Sequence, residues 1–493
     1  MSRKKSSARK KTSHKQPDLR RWLPFAGAGV VLLVLAGFTR FESYESLYDA
    51  EYVGSEKCGE CHTLTYARWQ DSPHAKMLRE PSAETVVGDF DVGSWTPPPE
   101  ARVPAEDDEP VARMYIEGGT YFMALRDPGS GAFVPFEIAY VVGYQYRQEY
   151  LVQEAGGVLR RLPLQWSTAR NEYFPYWNFQ EGSLPTVEDL WAQMEVPNSA
   201  WNLFCARCHT THLVINAQDA AHTVADVEWT DNGIACEACH GPGSQHVNYF
   251  AHNYVNRIAA AVNSRLRGEP VAYVANPPRL TRGQDLSTCA RCHGADIYIG
   301  MQDIYRMYEP GYSREGRVND ISQFFTAAPL QPGRTVPTVE VWLDGTPKGI
   351  GMLFRSFIES DHYLGSEMAC YDCHDAHNNK LETQPGILSA GEVSDGYCLA
   401  CHTELAGQVA EHTFHEPGTE GARCYDCHAG RRILNIATGV EKYVRTHDFS
   451  SVPDPTSTVV HGVDGAPNAC GECHAEEGAA WAVEVMEGWW GPR

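Results

Sequence analysis

The sequence predicts a mainly α-helical fold with a loop-rich core, a small inserted antiparallel β module and an N-terminal transmembrane helix. Three observations lead to this prediction. A short cysteine and histidine motif recurs along the chain, a cysteine-free stretch in the first half has strand-like patterning, and one apolar run follows a basic head. Short helices and many loops suit a chain of 493 residues that contains 43 glycines and 30 prolines.

The recurring motif is Cys-x-x-Cys-His, and its eight copies use all 16 cysteines of the chain. It is the attachment pattern of c-type haem, in which both thiols bind the haem vinyl groups and the histidine ligates iron. A zinc site needs four ligands around one ion, and a disulfide framework would not place histidine after every second cysteine. We therefore predict eight covalently attached haem c groups that pack the core. The attachment residues are Cys58, Cys61, His62, Cys205, Cys208, His209, Cys236, Cys239, His240, Cys289, Cys292, His293, Cys370, Cys373, His374, Cys398, Cys401, His402, Cys424, Cys427, His428, Cys470, Cys473 and His474.

Histidines outside the motifs are candidates for the second axial position on each iron. Eight of the 20 histidines are proximal ligands and His14 lies in the basic head, so eleven remain for eight irons. In CEACHGPGSQH, the Gly241-Pro242-Gly243 turn ends the helix and positions His246 to ligate iron. His74 lies 12 positions after His62 and could reach another haem or the far side of the same one.

Two of these histidines, His212 and His377, follow a proximal histidine by three positions. Neither can cross to the opposite face of its own haem, so each is expected to ligate a neighbouring iron or to lie at the surface. Three others, His222, His252 and His461, have no supporting local pattern. Bis-histidine iron has no open position, and a row of such haems conducts electrons.

The N-terminus has the charge pattern of a segment retained on the cytoplasmic side of a membrane. Residues 1–21 contain nine Lys or Arg and one acid, Asp18, and precede an apolar run from Trp22 to Phe38. That run of 17 residues is at the lower limit for a membrane span, about 17–25 residues. A cleaved signal peptide ending near Ala36 is the alternative. Either reading places the remaining chain outside the cytoplasm, where c-type haem is attached.

The body of the chain is acidic. Because the first 21 residues contribute +8 to a net charge of −22, the remainder carries −30. We expect no nucleic-acid binding, since the basic head lacks interleaved aromatic residues. Electron-transfer partners of such a body would dock best through basic patches. Whether the chain forms a homo-oligomer stays open.

The positions of the haem motifs, the charged residues and the strand-like patterning divide the chain into seven segments. We expect a basic head at 1–21, a transmembrane anchor or signal segment at 22–38, a first haem segment at 43–85, a β-rich insertion at 86–198, a three-haem segment at 199–300, a loop-rich connector at 301–369, and a four-haem segment with a C-terminal helix at 370–493.

The spacing of the eight motifs, with CEACHGPGSQH, CYDCHDAH and SPHAKM, resembles the multihaem cytochrome superfamily. That superfamily contains hydroxylamine oxidoreductase, the octahaem nitrite and tetrathionate reductases and a tetrahaem electron-accepting relative. From YVGSEKCGECH to CGECHAEEGAAWA, the chain looks like the haem half of tetratricopeptide-associated multihaem cytochromes, although no repeat array follows.

The resemblance implies a set of distal iron ligands. It supports His74, His246, His377, His415 and His447, and it places His362 where similar sequences often have methionine. With His212 and His412, these complete the predicted metal ligands beside the eight proximal histidines. The Cys-x-x-Cys-Lys motif of nitrite reductases is absent, because every motif here ends in histidine. No residue is assigned a catalytic role.

Three hypotheses about function remain at this stage. The first is a membrane-anchored periplasmic octahaem cytochrome that relays electrons between respiratory partners, such as a quinone-linked donor and another redox protein. The second is an oxidoreductase that acts on nitrite, hydroxylamine, tetrathionate or a similar small nitrogen or sulfur compound at one open-site haem. The third is a structural subunit of a larger respiratory complex.

Overall fold

The structure is a computed structural model, and it describes most of the haem-motif segments and the region between the first two motifs. The described residues are 27–32, 50–91, 93–97, 110–168, 170–175, 186–251, 257–258, 274–275, 282–294, 341–348, 352–378, 395–433, 444–449 and 455–491. The basic head and most of the predicted connector at 301–369 lie outside these residues.

The prediction of an N-terminal transmembrane helix is wrong. Of the apolar run, only residues 27–32 are described, and they are helical. Across the described ranges, no helix has both the length and the apolar character needed to cross a bilayer. The 17-residue run had offered only the minimum length, about 17 residues, for that assignment.

The prediction of a mainly α fold is also wrong, because antiparallel strands build two substantial sheets. The four-stranded sheet has the order β2-β3-β4-β5, and the six-stranded sheet has the order β1-β6-β7-β9-β10 with β8 paired to β7. The strands are β1 (Leu78–Arg79), β2 (Ser94–Trp95), β3 (Ala112–Glu117), β4 (Thr120–Arg126), β5 (Phe133–Glu137), β6 (Tyr140–Val142), β7 (Arg147–Gln153), β8 (Leu159–Arg161), β9 (Leu164–Ser167) and β10 (Glu172–Pro175).

The turns between these strands follow from their residues. Gly118 and Gly119 join β3 to β4 with φ angles of 60° and 89°, a left-handed pair that a two-residue hairpin requires. Between β4 and β5, the Asp127 carboxylate accepts hydrogen bonds from the backbone N–H and the hydroxyl of Ser130. These bonds lower the pKa of Asp127 and stabilise the turn.

The six-stranded sheet is buried on both faces. Along β7, Tyr150 and Val152 point into a core shared with the four-stranded sheet. Leu151 points to the opposite face and packs with Leu78 and Trp201 beside the second haem motif. The alternation along a strand thus places one face against a hydrophobic core and the other against the haem-motif helices.

The helices are short, and most frame a haem motif. They are α1 (Ser55–Gly59), α2 (Thr63–Gln70), α3 (Val187–Glu195), α4 (Trp201–Phe204), α5 (Ala206–His209), α6 (Cys236–His240), α7 (Ser244–Ala251), α8 (Arg282–His293), α9 (Met352–Ile358), α10 (Asp361–Gly365), α11 (Gly396–Leu399), α12 (Val409–Thr413), α13 (Cys424–His428), α14 (Thr456–His461) and α15 (Gly478–Trp490).

Small two-stranded sheets complete the architecture between the later motifs. The pairs are β11 (Thr210–Thr211) with β14 (Asp231–Asn232), β12 (Val214–Gln218) with β13 (Ala225–Glu228), and β15 (Arg431–Ile433) with β16 (Val444–Arg445).

Replacing Leu151 by alanine should destabilise the packing of the sheet on the second haem motif. The side chain is fully buried, and removing a buried leucine typically costs about 2–5 kcal/mol of unfolding free energy. The matched control is Leu64→Ala, because Leu64 is 82% exposed. Guanidinium unfolding followed by tryptophan fluorescence measures both variants; equal midpoints would contradict the assignment of Leu151 to this core.

Candidate haem sites

Each well-described motif forms about one helical turn that brings its three functional side chains to one side. In this turn the backbone N–H of the histidine donates to the carbonyl of the first cysteine, four residues earlier. The bond is 2.9 Å for His62, 2.9 Å for His374, 2.8 Å for His402 and 2.8 Å for His474. Residues at positions i, i+3 and i+4 share a helix face, so both thiols and the imidazole point toward one group.

Seven of the eight motif histidines face a histidine from outside the motifs. Their ring centroids are 6.1 Å apart for His62 and His246, 6.3 Å for His74 and His293, 6.4 Å for His240 and His377, 6.1 Å for His362 and His402, 6.1 Å for His374 and His447, 6.1 Å for His412 and His428, and 6.3 Å for His415 and His474. Every one of these pairs joins a motif histidine to a non-motif histidine.

This separation fits an iron held between two imidazoles. A metal–imidazole bond is about 2 Å long and the ligating nitrogen lies about 1 Å from its ring centroid, so the two centroids would be roughly 6 Å apart. Rings in direct van der Waals contact would be closer, as Tyr52 and His212 are at 3.7 Å. The residues present therefore fit bis-histidine haem.

Burial keeps several of these imidazoles neutral, as metal ligation requires. Burial and the neighbouring His293 lower the pKa of His74 to about 4. Burial and the neighbouring His374 have the same effect on His447, whose pKa is also about 4. The pKa of His240 is lowered too, chiefly by burial.

Hydrogen bonds at Nδ1 orient some of the rings. His240 Nδ1 lies 2.6 Å from the carbonyl oxygen of Ala275, and His415 Nδ1 lies 2.6 Å from that of Thr413. A bond at Nδ1 fixes the tautomer and leaves Nε2 for a metal.

The position of His377 is set by a carboxylate that is itself anchored. Asp375 is buried and accepts from the backbone N–H of His377 at 3.0 Å. Its other oxygen pairs with the Arg68 guanidinium from α2. The helix after the first motif therefore positions a histidine that faces the third motif.

Contacts between cysteines of different motifs indicate which motifs are neighbours. The sulfurs of Cys58 and Cys236 lie close enough to interact directly. The same proximity joins the sulfur of Cys289 to that of Cys370, and the sulfur of Cys398 to that of Cys424. Motif one is thus adjacent to motif three, motif four to motif five, and motif six to motif seven.

The second motif differs from the other seven. His209 is half-buried with its Nδ1 atom shielded from solvent, and burial lowers its pKa to about 4. The ring of His209 lies 6.0 Å from that of Trp201, and in the described part of the chain no histidine faces it at the spacing of the seven pairs. The predicted ligand His212 instead stacks on Tyr52, and His222 packs on Phe204.

A charged strand face lies beside this second motif. Arg147 forms an ion pair with Glu149 at 2.8 Å and donates to the Gln165 side-chain oxygen at 3.0 Å. Arg161 Nη1 lies 3.9 Å from the sulfur of Cys205. The charges of Glu149, Arg147 and Arg161 all act on His209. Sequence reasoning missed this face, although four charged residues in RQEYLVQ and LRR, on strands buried on both sides, were a usable signal.

Glu237 is a second important residue that the haem motif did not indicate. It lies inside CEACH, is almost fully buried, and accepts backbone N–H bonds from Val53 at 3.0 Å, Gly54 at 2.8 Å and Gly243 at 2.7 Å. Burial raises its pKa and these bonds oppose the rise. The carboxylate therefore ties the segment before the first motif to the turn that carries His246.

Three further histidines belong neither to a motif nor to a described contact with one. His461 ends α14 and belongs to none of the seven facing pairs. His252 and His14 lie outside the described residues.

A family model described as cytochrome c554 and c-prime matches residues 57–87 and 186–241. These ranges contain the first three motifs, together with His74 and part of the strand-rich region around them. These observations support a multihaem c-type cytochrome. Covalently bound haem c follows from that class.

Comparison with solved structures gives one similar multihaem cytochrome. The crystal structure of outer cell wall cytochrome OcwA has a TM-score of 0.48 and 17% sequence identity, covering 89% of this chain and 86% of that one. No curated protein matches the sequence.

Replacing Glu237 by glutamine should weaken the junction between the first and third motifs of this cytochrome. The amide has one acceptor oxygen where the carboxylate has two, and hydrogen bonds to charged groups contribute about 1.5–3 kcal/mol. Thermal unfolding of the holoprotein should show a lower midpoint for Glu237→Gln than for Glu60→Gln, whose side chain is 61% exposed. Equal midpoints would mean that the buried carboxylate does not stabilise the junction.

Proposed function

We propose that the chain is an octahaem electron-transfer cytochrome that works on the periplasmic side of the cytoplasmic membrane and relays electrons between respiratory partners. The observation that carries this proposal is the set of seven facing histidine pairs, each with centroids 6.1–6.4 Å apart. Eight motifs with 16 cysteines supply attachment for eight haems. The extracytoplasmic location is supported by the compartment in which c-type haem is attached.

Closed coordination at these seven sites would favour conduction over catalysis. Haem supplies one-electron chemistry, and iron with two histidine ligands leaves no position for a substrate. The protein's own residues hold the macrocycles, keep the imidazoles neutral and orient them through Nδ1. Electrons would then move between neighbouring haems without bond formation.

We infer an order for the haems, and the proximity of cysteines from different motifs supports it. The cysteine pairs connect motif one with three, four with five and six with seven. Cys398 lies near Cys373, and Cys239 lies near Cys289, which places motif five beside motif six and motif three beside motif four. Cys427 lies near Cys470, which places motif seven beside motif eight. The proposed route is one, three, four, five, six, seven and eight.

His377→Ala should open one iron among eight. Removing the imidazole that faces His240 would leave the iron five-coordinate. The oxidised variant should therefore gain a high-spin signal that corresponds to about one haem per chain. Electron paramagnetic resonance measures this, and added imidazole should restore the low-spin signal.

The control for that variant is His461→Ala, which removes a histidine outside the facing pairs. Its spectrum should match the wild type. Haem staining and intact mass should give eight haems for all three proteins. A His377→Ala spectrum without new high-spin iron would contradict the ligand assignment, and fewer than eight haems would contradict the octahaem proposal.

A second candidate function is supported by the second motif. We propose as the alternative an oxidoreductase that acts on a small nitrogen or sulfur compound at the haem attached to Cys205 and Cys208. The supporting observation is that, within the described residues, His209 has no facing histidine while Arg147, Glu149 and Arg161 lie beside it. Two arginines and one glutamate give this face a net positive charge, which favours an anionic ligand.

Ligand binding to the oxidised wild type separates the two candidates. An open second haem should give a high-spin signal that converts to low spin when cyanide is added, with one cyanide bound per chain. Nitrite or hydroxylamine turnover faster than electron exchange with a redox protein would establish the enzyme. A spectrum that is low-spin throughout and unchanged by cyanide would remove the enzyme candidate.

A further inference from the structure

The last motif lies against a pair of helices with unusual surface chemistry. We use the term C-terminal helix pair for α14 and α15 together with the short 3-10 helix Gly462–Asp464 between them. The ring of His474 lies 4.9 Å from Trp481 on α15, and that of His415 lies 5.8 Å from Trp489. The haem held by Cys470 and Cys473 would therefore adjoin this helix pair.

The helix pair exposes large apolar side chains. Val459 is 50%, Val460 65%, Val463 93% and Trp490 38% exposed. The two helices pack on each other, and α14 also contacts the 3-10 helix that carries Val463. Phe414, 47% exposed, stacks on Trp489 at 4.7 Å and extends the apolar surface from the neighbouring α12 segment.

The same segment is strongly acidic. Residues 455–491 contain six acids and no Lys or Arg. Glu472 pairs with Arg431, which leaves five exposed carboxylates. Within the described residues none of those five forms an ion pair; they are Asp464, Glu476, Glu477, Glu484 and Glu487.

An apolar surface surrounded by unpaired carboxylates favours some binding partners over others. A second copy of this chain would bring the same acidic residues, and the chain's net charge of −22 opposes that contact. An anionic lipid surface is disfavoured for the same reason. A basic protein is attracted over about 10 Å and can bury the apolar side chains at the centre of its interface.

We propose that the C-terminal helix pair is the docking surface for a basic electron-transfer protein. The inference rests on the proposed electron-transfer function and locates where one partner binds. In the complex, one electron passes from ferrous haem on this chain to the partner's ferric iron, so this haem becomes ferric and the partner's iron becomes ferrous. No bond forms and no proton moves.

The test uses the reduced holoprotein and ferric mitochondrial cytochrome c as a basic probe. Stopped-flow absorbance should show fast oxidation at low salt that slows steeply as ionic strength rises. The variant Glu476→Gln/Glu477→Gln/Glu484→Gln/Glu487→Gln should react about tenfold more slowly at low salt and with a shallower salt dependence. Val463→Ser should slow the reaction at both low and high salt, since it removes apolar contact.

The matched control removes four exposed acids from the strand-rich region and from α3. Glu84→Gln/Glu117→Gln/Glu137→Gln/Glu195→Gln changes the net charge by the same amount and should keep the wild-type rate within about twofold. Oxidation by benzoquinone, a small neutral acceptor, should be equal in all variants.

Three outcomes would count against the proposal in different ways. Equal rates for the two quadruple variants would overturn the docking surface while leaving electron transfer intact. No oxidation by either cytochrome c or benzoquinone would remove the electron-transfer function itself. A wild-type dimer in analytical ultracentrifugation that Val463→Ser dissociates would assign the helix pair to a second copy of the chain and overturn the basic partner.

Discussion

The distance between facing imidazoles is the constraint on which the rest of the structure depends. Seven pairs keep centroid separations between 6.1 and 6.4 Å, while the angles between their ring planes range from 10° to 82°. One iron between two imidazoles fixes the distance along the ligand axis but leaves rotation about that axis free. Axial ligation predicts nearly equal centroid separations with widely different interplanar angles. Ring packing alone would give no reason for such a constant separation.

Holding that distance requires segments that are far apart in sequence. His62 faces His246 and His240 faces His377, so the third motif is joined to residues on both sides of it in the chain. The supporting contacts are of two kinds. Buried carboxylates such as Glu237 and Asp375 tie backbone N–H groups and a guanidinium across these long separations. The two sheets form a conventional apolar core and cover the second motif from one side.

The sequence was sufficient for the motifs and for the pool of axial histidines, because attachment chemistry is encoded within five residues. The sequence did not indicate which histidine outside the motifs faces which motif histidine. His212 and His377 share the same spacing from their motif histidines, yet only His377 faces another motif. The difference is local: Thr210 and Thr211 form β11 with β14, and His212 follows with a φ of 56° that directs it to Tyr52. Sheet content was underestimated because several strands are only two to four residues long, too short for a clear alternation.

The second motif and the C-terminal helix pair differ in charge, and that difference bears on how electrons would enter and leave. Around His209 the charges are buried, two of the three are arginines, and the strands that carry them are held by the sheet. Around His474 the charges are exposed carboxylates on helices that also expose valines and a tryptophan. Buried charges offer a protein partner no surface to contact. An exposed acidic and apolar surface offers little to a small ligand and much to a protein. This difference is why the proposed small-molecule chemistry is placed at the second motif and the proposed exchange with a protein partner at the last.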